Sequence, residues 1–338
     1  MAVTEDEHAK VVAMSGDVIF GAFVPQGWKR ELSSIAGAEE KWATTVSIAQ
    51  RAEELGYDSL WVYDHVHNVP QPSSEAVFEC WTTIAAISQQ TTRIRLGQMV
   101  GCNSYRNPAL LAKITSTVDV VSGGRLDWGI GAGWYENEYH GYGYEFPAPK
   151  VRIGMLRETV EIVKRLWTDA ETSYDGIHYR LHRAQCDPKP LQSPHPPIWV
   201  GGGGEQLTLR VVAAHADCSN FGGPPDQWAD KRDVLLEHCR ALGRDGDEIR
   251  KTWSPEVFIR ATEAEVEDAG SRSIWGEPFE RWRAGNLVGT PEQVAEKIQT
   301  YLDLGCRGFV PWCADYPGTE TLERFATEVM PEFGGGYS

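Results

Sequence analysis

From Arg93 to Tyr139 the chain carries two strand–helix units back to back, a pattern that leaves few folds open. The apolar run from Ile94 to Val100 ends in a Gly/Cys/Asn/Ser cluster. Asn107-Pro108 then opens a helix with apolar residues at Leu110, Leu111, Ile114, Val118 and Val121. Ser122-Gly123-Gly124 breaks that helix, and a second strand from Leu126 to Ile130 runs into Gly131-Ala132-Gly133-Trp134. Both strands release glycine-rich loops at their C-terminal ends, where α/β barrels and open α/β sheets bind ligands.

The same alternation extends along the chain. Strand candidates begin near Val18, Ser59, Ile94, Leu126, Ile198, Asp217, Val257 and Gly308. Helical spacing covers Ala43 to Leu55, Phe78 to Ser88, Asn107 to Val121, Ile153 to Trp167, Gln206 to Ala214, Gln227 to Leu242, Pro291 to Leu304 and Thr319 to Val329. Roughly eight such units predict the α/β class and a (β/α)8 TIM barrel with inserted loops. A two-domain Rossmann arrangement is the alternative, but no GxGxxG follows the first strand and no linker divides the chain. Residues 18–338 are therefore expected to form one barrel domain behind a flexible acidic extension, residues 1–17. Three segments interrupt the pattern. Ser173 to Leu181, with Asp-Gly between β-prone runs, predicts a hairpin. Thr262 to Gly285 predicts a lid or variable insertion, and Gln26 to Ala38 a long first loop at the catalytic end. Thr290-Pro291-Glu292-Gln293 is a helix start of structural meaning.

Charge narrows the partners. A formal net charge of −16 repels nucleic acid and anionic membrane, which leaves a small-molecule substrate as the expected partner; a homodimer is a separate expectation. An anionic cofactor must be held by local donors against that field. Seven cysteines without a CxxC pair predict reduced thiols and a cytoplasmic location. The N-terminal apolar run is too short for a signal peptide or a membrane span.

Several residues carry potential chemistry. Gly201 to Gly204 follow the strand Ile198 to Val200 and precede a helix, so their backbone N–H groups could approach a phosphate; the alternative is a tight turn. Asp64-His65 ends the second strand, either as a hydrogen-bonded structural pair or as a proton-trading pair on the ligand face. His67 follows at i+2, but no third ligand accompanies it, so no metal is expected. Glu136 and Glu138 sit at a presumed helix start and serve first to complement its dipole.

The segment LGQMVGCNSYRNPALLAKITSTVDVVSGGRLDWGIGAGW resembles the bacterial luciferase-like superfamily, specifically its coenzyme F420 (deazaflavin)-dependent oxidoreductase branch. Ser59 to His65 (SLWVYDH), Pro196 to Gly204 (PPIWVGGGG) and Gly289 to Ile298 (GTPEQVAEKI) agree with it. The resemblance implies that Gly201, Gly202, Gly203 and Gly204 hold the cofactor phosphate. It implies that Met99-Val100 forms a bulge with a non-prolyl cis peptide behind the cofactor ring. It further implies that Asp64 and Asn137 contact the cofactor and that His65 lies at the reaction centre. The sugar-phosphate dehydrogenases of this branch carry a glutamate proton donor where this chain has Trp134, so reduction of an activated alkene, nitroaromatic or imine is expected instead. Trp28, His67 and Trp134 are the candidate substrate-pocket residues. The alternatives are an FMN-dependent monooxygenase of the same superfamily, a non-catalytic flavin-binding protein and a barrel glycosidase. The glycosidase would need a pair of strand-end carboxylates that the sequence does not offer.

Overall fold

Eight parallel strands pair edge to edge in the computed structural model, which describes residues 18–334. They are β1 (Ile19–Phe23), β2 (Ser59–Val62), β3 (Arg95–Gln98), β4 (Leu126–Gly131), β5 (Ile198–Gly201), β6 (Cys218–Asn220), β7 (Arg250–Thr252) and β8 (Gly308–Phe309). Neighbours in sequence are neighbours in the sheet, and β8 pairs back onto β1. The seam between β7 and β8 is closed by hydrogen bonds from the Arg307 N–H to the Lys251 carbonyl (2.8 Å) and from the Trp253 N–H to the Gly308 carbonyl (2.9 Å). The sheet is thus a closed (β/α)8 barrel, as the alternation predicts.

Outside it lie α1 (Ala38–Glu54), α2 (Cys80–Ser88), α3 (Pro108–Val121), α4 (Pro149–Thr168), α5 (Thr208–His215), α6 (Pro225–Leu242), α7 (Pro291–Asp303) and α8 (Glu320–Arg324). Local chemistry explains several starts. Asn107 caps α3 by accepting the Ala109 N–H (2.9 Å), with Pro108 at the first position. Gln293 reaches back to the Thr290 N–H (2.9 Å) at the head of α7. Residues 1–17, expected as an extension, lie outside the described residues. Among the described residues no helix is long and apolar enough to cross a membrane.

One expected barrel strand is displaced. The strand near Val257 (Glu256–Ile259) pairs with Leu287–Gly289 and Trp312–Cys313 in a separate three-stranded sheet. The seventh barrel strand is instead Arg-Lys-Thr, residues 250–252, which has no apolar run to announce it. Its place is fixed by ladder bonds to β6 and by Thr252 Oγ1 donating to the Ser219 carbonyl (3.0 Å). The Thr262–Gly285 segment contains two short helices, Glu263–Ala269 and Phe279–Gly285, and buries Trp282, whose indole N–H donates to Glu256 Oε2 (2.6 Å). The hairpin forms as expected, from Thr172–Asp175 and Arg180–Ala184. Its loop is held by Glu158 of α4, which accepts the N–H groups of Ile177, His178 and Tyr179 (2.9, 2.9 and 3.1 Å).

The barrel interior is filled rather than open. Trp61 of β2 and Trp199 of β5 meet edge to face with ring centroids 4.6 Å apart. A Cβ on Gly21 or Gly97 would lie 2.6 Å from the Trp61 ring, so those strand positions must be glycine for the indole to fit. Nearer the strand starts, Arg95 of β3 pairs with Asp127 of β4 (2.8 Å). The interior is therefore plugged below, and the C-terminal strand ends are left to build a site.

Candidate active site

At that end a cavity of about 350 Å³ is lined by residues from the loops after β1 to β6. Its back wall is the Met99–Val100 bulge at the end of β3. The peptide between these residues is cis, as the resemblance implied. Three glycines make room for the Val100 side chain: Cβ atoms on Gly129, Gly131 and Gly201 would stand 3.3, 2.6 and 2.7 Å from its methyl groups. The glycines ending β4 and β5 thus shape the wall by what they lack.

His65 occupies the opposite side. Its imidazole lies flat on Trp28, with centroids 4.2 Å apart and planes within 3°. Trp134 and Tyr135 approach it edge on at 5.8 and 6.1 Å. Its Nδ1 is 2.7 Å from Oε2 of Glu138, a fully buried carboxylate. Glu138 also accepts the N–H groups of Val66 (2.6 Å) and His67 (2.9 Å) and the Tyr105 hydroxyl (2.8 Å). Burial by itself would raise the Glu138 carboxyl, but its hydrogen bonds, led by His65, hold it below the ordinary carboxylate value. An ionised carboxylate only accepts, so Nδ1 carries the hydrogen and Nε2 is the ring nitrogen left for a substrate. Glu138 thus does more than complement a helix dipole. The helix Glu136–Gly141 exists as expected, with Glu136 exposed, but Glu138 faces the end of β2.

Asp64 lines the cavity with its carboxylate already engaged. Arg106 holds both oxygens (2.6 and 3.0 Å), and the Cys102 N–H donates to Oδ2 (2.7 Å). Although burial opposes the charge, Asp64 keeps the Arg106 guanidinium well above its usual pKa. Cys102 also lines the cavity, and burial pushes its thiol up to about 12, so it stays protonated. Sequence reasoning gave Glu138 only a helix-dipole role and identified neither Tyr105 nor Arg106. Nothing local separates Glu138 from Glu136, because a six-residue helix is too short for a periodic signal.

The other expected site residues divide. Trp28, Asp64, His65, Met99, Val100, Trp134, Gly201 and Gly202 line the cavity together. His67 and Asn137 do not. They bind each other, Nδ1 to Oδ1 at 2.9 Å, outside the lining, and the His67 ring packs near Tyr142. Gly203 and Gly204 continue the loop beyond the lining, and the Gly202 N–H is spent on the Asn220 carbonyl (3.0 Å). Any anion contact from this loop must therefore come from other donors. Trp134 is half exposed at the rim, where it meets Trp275 of the Thr262–Gly285 segment edge to face at 6.4 Å. No lysine or arginine is among the described residues lining the cavity.

Comparison with known proteins places these features in context. The luciferase-like monooxygenase family matches residues 19–282. An F420-dependent glucose-6-phosphate dehydrogenase of Intrasporangium calvum is 26% identical, over 91% of this chain and 98% of its own. Among solved structures, an F420-dependent secondary alcohol dehydrogenase aligns with a TM-score of 0.79 at 19% identity, covering 93% of this chain and 98% of its own. A monooxygenase from Streptomyces bottropensis aligns with 0.78 at 21%, covering 93% and 99%. These structural likenesses bear on the fold alone.

Proposed function

The chain belongs to the luciferase-like monooxygenase family, and from that premise we propose that it is a coenzyme F420-dependent oxidoreductase. It moves a hydride between the deazaflavin and an organic substrate, in the direction of reducing an electron-poor alkene, nitroaromatic or imine. The observation that carries this is the fixed imidazole of His65, set between Trp28 and Glu138 in a cavity whose lining has aromatic rings and no cation.

The residues present suit the cofactor. The Val100 bulge offers a flat backbone wall cradled by glycines, and the Gly201–Gly204 loop leads from that wall to the N-terminus of α5. Met99, Val100 and Asp64 would flank the ring, and the glycine loop with Thr208 would take the phosphate end. When bound, the deazaflavin supplies a ring carbon that carries hydride without one-electron or oxygen chemistry. The protein's own part is positional and protonic. His65 Nε2 gives or takes the substrate proton, Glu138 fixes the ring and its tautomer, and Trp28 and Trp134 keep water from the reacting face. The relatives named as glucose-6-phosphate dehydrogenases act on a phosphorylated sugar, whereas a lining without lysine or arginine offers a substrate phosphate no charge partner. The enzyme is proposed to work as a cytoplasmic homodimer, consistent with seven cysteines that are all buried and unpaired.

The test is anaerobic mixing with reduced deazaflavin, deuterated at its hydride position, and a panel of enones and nitroaromatics. Deuterium in the product is the expected result. Activity only with reduced FMN and oxygen overturns the assignment in favour of a monooxygenase.

A further inference from the structure

We propose that Lys231 of α6 is the cation that holds the cofactor's phosphate, an assignment resting on the deazaflavin reading above. The Lys231 side chain lies across the glycine loop: a Cβ on Gly203 would come within 3.0 Å of its Cδ and Cε and 3.2 Å of its Nζ. The ammonium donates to the Gly222 carbonyl (2.6 Å) and stands 3.5 Å from where a Cβ of Gly223 would be. It therefore sits between the loops that leave β5 and β6. Through Gly203 it adjoins the cavity edge formed by Gly201, Gly202, Thr208 and Asn220.

A second contact ties the same helix to the same loop. His238, seven residues after Lys231 and so on the same face of α6, bonds the Glu205 carbonyl through Nε2 (2.8 Å). Two side chains of one helix thus border the far part of the loop, Lys231 beside Gly203 and His238 at Glu205. Lys231 enters no ion pair among the described residues. The Gly202 N–H is spent on the Asn220 carbonyl, so the Lys231 ammonium adds a charged donor to those the loop retains. The monoanionic phosphodiester of F420, placed between Lys231 and the first turn of α5, would engage both the ammonium and the helix dipole.

The test compares two forms of the deazaflavin with the full-length chain: F420, and the chromophore lacking the phosphate and its acidic tail. Binding is followed by fluorescence, and each variant's thermal midpoint checks folding. Lys231→Met should weaken F420 about 10- to 100-fold and leave the phosphate-free form unchanged. It should also flatten the salt dependence of F420 binding, and Lys231→Arg should restore most of the affinity. Equal loss for both forms, or no loss for either, overturns the lysine assignment while leaving the deazaflavin reading standing. A wild-type chain that binds neither form overturns both.

Discussion

His65 Nδ1 and Glu138 Oε2 are 2.7 Å apart across 73 residues of sequence, joining the end of β2 to the short helix after β4. The pair converts a loop histidine into an oriented group. Trp28 fixes the plane of the ring, Glu138 fixes its rotation and tautomer, and Nε2 alone remains for exchange with a substrate.

His65→Ala should lower turnover by about 10²–10⁴-fold with little change in cofactor affinity, because it removes the proton-trading group. Glu138→Gln keeps the shape but loses the charge and offers an amide where the carboxylate accepted four hydrogen bonds. We expect kcat to fall by about 10-fold or more while KM changes little. Steady-state kinetics of both variants decide it, and a near-normal kcat for Glu138→Gln would show that the carboxylate is only a loop clamp.

Glu138 also predicts a pH dependence of stability. Its carboxyl is held below the ordinary 4.5, so the unfolded chain binds the proton more readily than the folded one. The stabilisation it contributes is complete above the unfolded value and is lost as pH falls through the folded one. Urea unfolding of wild type and Glu138→Gln from pH 7 to 3.5 should therefore show a stability gap that is constant down to about pH 5 and narrows below it.

The wall of the cavity depends on absent side chains. Gly131→Ala and Gly201→Ala place a methyl 2.6 and 2.7 Å from Val100, so the bulge must move, and cofactor affinity should drop about tenfold or more. Gly285→Ala is the control. Its Cβ meets nothing within 4 Å at a helix end, so binding should be unchanged. Equal affinities across all three variants would mean the bulge does not set the cofactor's position.

Trp134→Ala opens the rim and removes the ring that faces His65, and Trp275→Ala removes its partner from the inserted segment. Both should raise KM for planar substrates several-fold, Trp134→Ala the more, with cofactor affinity unaffected. Unchanged KM in both variants would exclude the rim tryptophans from substrate recognition.

Much of this was written locally. Alternating apolar runs and helix starts such as Asn107-Pro108 specify barrel units because each unit's periodicity and capping need only near neighbours. The Gly201–Gly204 loop and the Asp64-His65 pair were legible for the same reason, as short motifs at strand ends, whereas the Met99–Val100 bulge was legible only through the family resemblance. What the sequence could not convey are groups brought together by closure of the barrel. Arg250–Thr252 becomes the seventh strand only because β6 and β8 offer it ladder partners, while the more apolar Glu256–Ile259 is drawn into another sheet. Asp64 is turned to Arg106, Glu138 to His65, and Lys231 to the glycine loop by packing between elements distant in sequence. His67 and Asn137, near the site in sequence, are turned toward each other instead. Local propensity determines which segments become strands and helices. Burial decides which polar side chains must find partners, and only the closed barrel determines which partners are within reach.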